Sequence, residues 1–227
     1  FNVPGELMRR LDMLAKRFDV SRFAMFTSIY QVLLSAISGQ NDVYFTTPAT
    51  EREQNKLQDL IGLFVNSIAL RQNVQNIKSF GEFVKHTKVH VNAAFSHKMA
   101  PFEKVKEVLS SDELTRREVN ELLNNARFVY SESTPKKLKF HDLRVEPFTV
   151  QRNVAKFDLM LTMERDGAED GADCHCNFEY KVGRFSAGYI AALSECFIQV
   201  LEDVATKPYR SVGELKQAVN TKIQRWK

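Results

Sequence analysis

The chain has 227 residues, of which 44% are hydrophobic and 26% charged, enough for a sizeable core and too apolar for a disordered segment. A net charge of +4 is small for this length and gives no case for nucleic acid, which needs basic residues concentrated on one face. No apolar run is long enough to span a bilayer, no signal peptide is expected, and three cysteines suit a reducing cytosol, so a cytoplasmic location away from membranes is expected.

The chain opens on Phe1-Asn2-Val3-Pro4, without an initiator Met, and is expected to be part of a longer protein. Leu7, Leu11, Leu14 and Ala15 recur at helical spacing and predict a first helix over residues 4–18, where Pro4 loses no useful N–H. Ser21 or Arg22 starts a second helix, apolar over a wide arc through Phe23, Phe26, Tyr30, Leu33 and Ile37, and Gly39 suits its left-handed cap. Two runs rich in β-branched and aromatic residues, 43–47 and 63–70, predict strands on either side of a polar connection holding Pro48, Glu51 and Arg52. The second run reads as buried, so its Asn66 and Ser67 need hydrogen-bond partners or a cavity.

Ser79 caps a long helix to about Phe95, with Phe83, Val84 and Val91 inward and Lys85, His86, Lys88 and His90 outward. Pro101 opens a short helix, with Phe102 as its anchor and Glu103 in the first turn. Residues 110–120 are charged and helical in part, and a strand follows with Ala126, Phe128 and Tyr130 on one face. An edge strand is expected between Pro135 and Pro147. Phe157, Leu159, Leu161 and Met163 alternate with polar neighbours in a half-buried strand, and a turn leads to its partner around Cys174-His175-Cys176. There the two thiols share a face and His175 points away, so no metal is expected. Ser186 begins the last long helix, which Lys207 and Pro208 close.

Several motifs stand in a telling order. Gly39-Gln40-Asn41-Asp42 matches G-Q-x-D, and Asp42, Thr47, Pro48 and Arg52 match D-x-x-x-G-T-P-x-A-N-R, with Thr46, Thr50 and Glu51 in place of its Gly, Ala and Asn. Leu60, Ile61, Gly62, Phe64, Val65, Asn66 and Arg71 match L-I-G-x-F-V-N-T-x-x-x-R, with Ser67 for the Thr. His97, Pro101, Phe102 and Glu103 match H-x-x-x-P-F-E, and Lys156, Phe157, Asp158 and Leu159 match K-F-D-L. The chain thereby resembles the C-terminal half of a condensation domain of a nonribosomal peptide synthetase. The family's P-L-F-Q-V run matches only weakly, through Phe128 and without the proline.

The resemblance implies an α/β fold, one lobe of the chloramphenicol-acetyltransferase-like architecture, with a mixed sheet flanked by helices. It places that lobe in residues 1–208 and a linker toward a following domain in 209–227. Thr47, Pro48, Arg52, Asn66 and Ser67 are implied to form a floor loop or line the substrate tunnel. Gly62, Phe64, Arg71, His97, Pro101, Phe102 and Asp158 are motif residues with a structural role. The implied partners are the N-terminal lobe and the peptidyl or aminoacyl carrier proteins, whose phosphopantetheine arms bring the substrates; no cofactor is bound directly. Amide formation in the family depends on H-H-x-x-x-D-G, and none of the five histidines here adjoins another. No other catalytic motif replaces it, so the chain alone is expected to be inactive. Two alternatives share the scaffold: a non-catalytic docking lobe and the second half of an epimerisation domain.

Overall fold

Pro4, extended at φ −60° and ψ 143°, leads the chain from a two-residue strand, β1 (Asn2–Val3), into α1 (Gly5–Arg17). The computed structural model describes residues 1–50, 55–110, 115–133, 154–166 and 171–224; Arg52, the edge strand expected between Pro135 and Pro147, and part of the turn after Asp166 lie outside them. The chain continues through α2 (Arg22–Ser38), β2 (Asp42–Thr50), α3 (Asn55–Gln58) and β3 (Val65–Asn73) to α4 (Phe80–Ser96). Next come α5 (Phe102–Leu109), α6 (Arg116–Leu123), β4 (Ala126–Ser133), β5 (Leu159–Asp166), β6 (Cys174–Tyr180), α7 (Ala187–Thr206) and α8 (Val212–Ile223).

Local signals set most helix ends. Ser21, Ser79 and Ser186 each accept a hydrogen bond from the backbone N–H three residues on, which satisfies one of the orphan donors of the first turn. Thr115 with Glu118, and Ser211 with Glu214, form reciprocal capping boxes. Gly39 ends α2 at φ 72°, a conformation that costs a side chain with Cβ more than it costs glycine.

Among the described residues six strands form one mixed sheet in the order β1-β6-β5-β4-β2-β3. The β2–β3, β5–β6 and β1–β6 pairs are antiparallel, whereas β4 runs parallel to both β2 and β5. Alternation along the strands turns Val43, Phe45, Leu70, Phe128, Leu161, Met163 and Phe178 into a single core with α1, α2, α4, α7 and α8. At its centre the rings of Tyr30, Phe45 and Phe128 stack or meet edge to face at 5.2–6.0 Å. The C-terminal end of α6 reaches the opposite face, where the Tyr44 hydroxyl donates to the Leu122 carbonyl at 2.7 Å.

The α/β class and the mixed sheet flanked by helices agree with the expectation from sequence. Three details differ. Pro48 lies inside β2, not in the connection after it, opposite Ser67 of β3. The strand β4 pairs with β2 at Thr46, so Pro48 occupies the strand's free margin, where a missing N–H breaks no ladder. Next, β3 starts at Val65, and the apolar residues before it are not buried: Ile61 is fully exposed and Leu63 91% exposed. Last, residues 209–224 are no linker. They add α8 to the core, with Val212, Leu215, Val219 and Ile223 buried against α2 and α7, because apolar side chains three or four residues apart make one helical stripe. No single described helix is long and apolar enough to cross a membrane.

Candidate functional site

The β2–β3 hairpin carries most of the residues singled out from sequence, and strand alternation divides them between its faces. Thr47 is buried on the helix-covered face, opposite Ile68. Asn66 shares that face at the strand's start, where the chain turns from α4 into α5. Its Nδ2 donates to the carbonyls of Lys98 and Ala100 at 2.8 and 2.7 Å. Its Oδ1 accepts from the Ser67 N–H at 2.9 Å and the Phe102 N–H at 3.4 Å. Asn66 is therefore a brace that fastens the α4–α5 turn to the sheet.

Pro48 and Ser67 face the other way. There the Ser67 hydroxyl accepts a hydrogen bond from Arg127 Nη1 at 3.2 Å. The Arg127 guanidinium lies 4.8 Å from the centre of the Phe157 ring, and burial lowers its pKa from the ordinary arginine value. Sequence reasoning passed over Arg127. Its signal was present, since a charged residue between Ala126 and Phe128 must face away from the core.

The remaining motif residues hold the frame. Arg71 grips Asp42 across the hairpin with contacts of 2.6–3.1 Å, and that hydrogen bonding holds the Asp42 carboxyl below its usual range. Asp158 lies 2.7 Å from Lys181 and 3.5 Å from Arg184, tying the approach to β5 to the end of β6. Gly62 and Phe64 pack together: a Cβ on Gly62 would come within 2.9 Å of the Phe64 ring. His97 caps the end of α4 and is exposed, Pro101 precedes α5, and Phe102 is half-buried with the Lys106 ammonium 5.6 Å from its ring centre.

Comparison with known proteins decides the family. The profile described as Condensation domain matches residues 1–224. The chain belongs to the condensation-domain family. Similar proteins include bacitracin synthase 1 of Bacillus licheniformis, 28% identical over 94% of this chain and 4% of the synthase. Tyrocidine synthase 3 of Brevibacillus parabrevis is 25% identical over 95% of this chain and 3% of its own length. The chain thus spans a small fraction of the curated relatives it matches. Among solved structures, a four-domain nonribosomal peptide synthetase bound to AMP and glycine aligns over 94% of this chain and 17% of its own, with a TM-score of 0.79 at 20% identity. The X-domain from teicoplanin biosynthesis aligns over 93% and 47%, with a TM-score of 0.79 at 22% identity. The condensation domain of the Monacolin K polyketide synthase aligns over 93% and 48%, with a TM-score of 0.77 at 19% identity. These likenesses establish the fold, the mixed sheet flanked by helices seen in condensation domains.

The described residues of this condensation-family chain offer structure and polar surface more than reactive chemistry. No group of three or more potential metal ligands gathers among them. Cys174 and Cys176 are buried on one face of β6 with their sulfurs 3.9 Å apart, while His175 turns outward, its Nδ1 2.8 Å from Asn2 Oδ1. The neighbouring Cys174 thiol and burial raise the pKa of Cys176, which keeps it a poor nucleophile.

Proposed function

We propose that this chain is the acceptor-side, C-terminal half of a nonribosomal peptide synthetase condensation domain, which joins carrier-bound acyl and aminoacyl thioesters through an amide bond. The observation that carries the reading is the pairing of two coverages: 93% of this chain aligns with 47% and 48% of two solved domains of this fold. On this reading a second lobe supplies the histidine motif that this sequence lacks. Carrier proteins deliver substrates on phosphopantetheine arms to a tunnel between the lobes. Pro48 and Ser67, on the face away from the helices, would border it. Asn66 would shape the wall from behind.

The test supplies donor and acceptor carrier proteins loaded with aminoacyl groups and looks for dipeptidyl thioester by mass spectrometry. The chain alone is expected to form none. The same chain joined behind a lobe bearing H-H-x-x-x-D-G is expected to form it, and turnover by the chain alone would overturn the reading. A second reading, a docking lobe without catalysis, has support from one neighbour: the teicoplanin X-domain has been solved in complex with OxyB, and it too has this fold. Failure of the joined protein to form product, with carrier binding intact, would favour that reading.

A further inference from the structure

Two cations gather on one aromatic ring beside Ser67. Arg127 lies 4.8 Å and the Lys156 ammonium 5.7 Å from the centre of Phe157, a buried ring just ahead of β5. Among the described residues no carboxylate comes within 4.0 Å of either cation. Other arginines on the molecule are matched: Arg22 with Asp12, Arg71 with Asp42, Arg210 with Asp203. Arg127 is half-buried, so its charge has lost part of its hydration without gaining a counter-charge among the described residues. Its guanidinium spends one N–H on Ser67 and keeps a planar fork of donors. The Ser67 oxygen accepts that bond and still has its own O–H to give. Two donors of different geometry and a second positive charge therefore converge on the face of the sheet opposite the packed helices.

We infer that Arg127, with Ser67 and Lys156, is a specificity-determining anchor for a free carboxylate on the substrate. This rests on the condensation reading, which also fixes where that carboxylate must be. The α-carboxyl of an aminoacyl group is consumed in the thioester, so the free one belongs to an acidic side chain or to the far end of a dicarboxylic acyl group. The phosphate of the carrier arm is an oxyanion too, and the test separates the two sources.

Calorimetric titration of the full chain with glutaryl-pantetheine and butyryl-pantetheine measures the effect. The carboxylated thioester is expected to bind about tenfold more tightly, the scale of one charge-assisted hydrogen bond. In Arg127→Met, which preserves a stem to pack on Phe157, the two thioesters should bind equally. Lys156→Met, an exposed substitution with little bearing on folding, should narrow the gap, and added salt should do the same. Equal binding of the two by the unaltered chain overturns the carboxylate anchor and leaves the condensation reading standing. Binding of neither overturns both. An Arg127-dependent gain for butyryl-phosphopantetheine, with none for the glutaryl group, overturns the carboxylate assignment in favour of the arm's phosphate.

Discussion

Asp12 of α1 and Arg165 of β5 meet at 2.8 Å across 153 residues of sequence, with 3% and 0% of their side chains exposed. Arg22, at the start of α2, reaches the same carboxylate at 2.8 Å and extends the network to Glu132 of β4 at 3.2 Å. One buried acid thus ties two helices to two strands. Removing Arg165 leaves the buried carboxylate with Arg22 as its remaining cation, at about 1.5–3 kcal/mol for the lost charge-assisted hydrogen bond, whereas replacing acid and arginine together by apolar groups is milder. Arg165→Met should destabilise the chain by that amount, and adding Asp12→Leu should recover part of the loss. Denaturant titration measures both, and a double variant as unstable as the sum of its singles would refute the coupling.

Asn66→Leu removes the donor to Lys98 and Ala100 and the acceptor for Ser67 and Phe102. The stranded backbone groups should cost about 1–3 kcal/mol. An unchanged denaturation midpoint would mean that water replaces the side chain easily, and Asn66 would then be a channel-lining residue instead of a brace.

Leu215 of α8 is fully buried, and Leu215→Ala should cost about 2–5 kcal/mol through lost contacts and the cavity left behind. A chain ending at Pro208 should lose its cooperative unfolding transition, since it exposes the faces of α2 and α7 that α8 covers. A truncated chain with a native melting curve would restore the linker interpretation of the tail.

Leu60, Ile61, Leu63 and Val65 hold a run of apolar surface open at the head of β3. Contiguous apolar exposure of this kind marks an interaction site. The chain should self-associate as concentration rises, and the double variant Ile61→Lys, Leu63→Lys should suppress this in light scattering. Scattering that the two lysines leave unaltered would place the sticky face elsewhere.

The Asp42–Arg71 pair predicts a dependence on pH. Hydrogen bonding to Arg71 depresses the folded-state pKa of Asp42, so the folded chain binds that proton more weakly than the unfolded chain does. The stabilisation is complete above the unfolded value of about 3.9 and disappears as pH falls through the lower folded value. The gap in thermal midpoint between the unaltered chain and Asp42→Asn should therefore be small at pH 7, as befits an exposed pair, and should shrink further below pH 4. A gap that widens in acid would contradict the assignment.

What the sequence determined by itself is local in origin. Caps need one side chain and a backbone N–H three residues away, so Ser79 and Ser186 mark their helices correctly. Alternation needs only the period of the strand, so the inward faces of β4 and β5 follow from Phe128, Leu161 and Met163. The ordered motifs around Asn66 were enough to indicate the family.

The tertiary structure decided the rest. An apolar run such as residues 60–65 has the composition of a core strand whether or not a partner covers it, and only packing reveals its exposure. The tail had a legible helical stripe in Val212, Leu215, Val219 and Ile223, but whether a stripe is buried depends on the faces of α2 and α7 that receive it. Arg165 continues the inward period of β5, a position where charge is costly, and Asp12 lies beside a leucine stripe in α1. Neither makes sense alone. Their proximity is a property of two elements brought together from opposite ends of the chain, because a buried charge is tolerated only once its counter-charge arrives by folding.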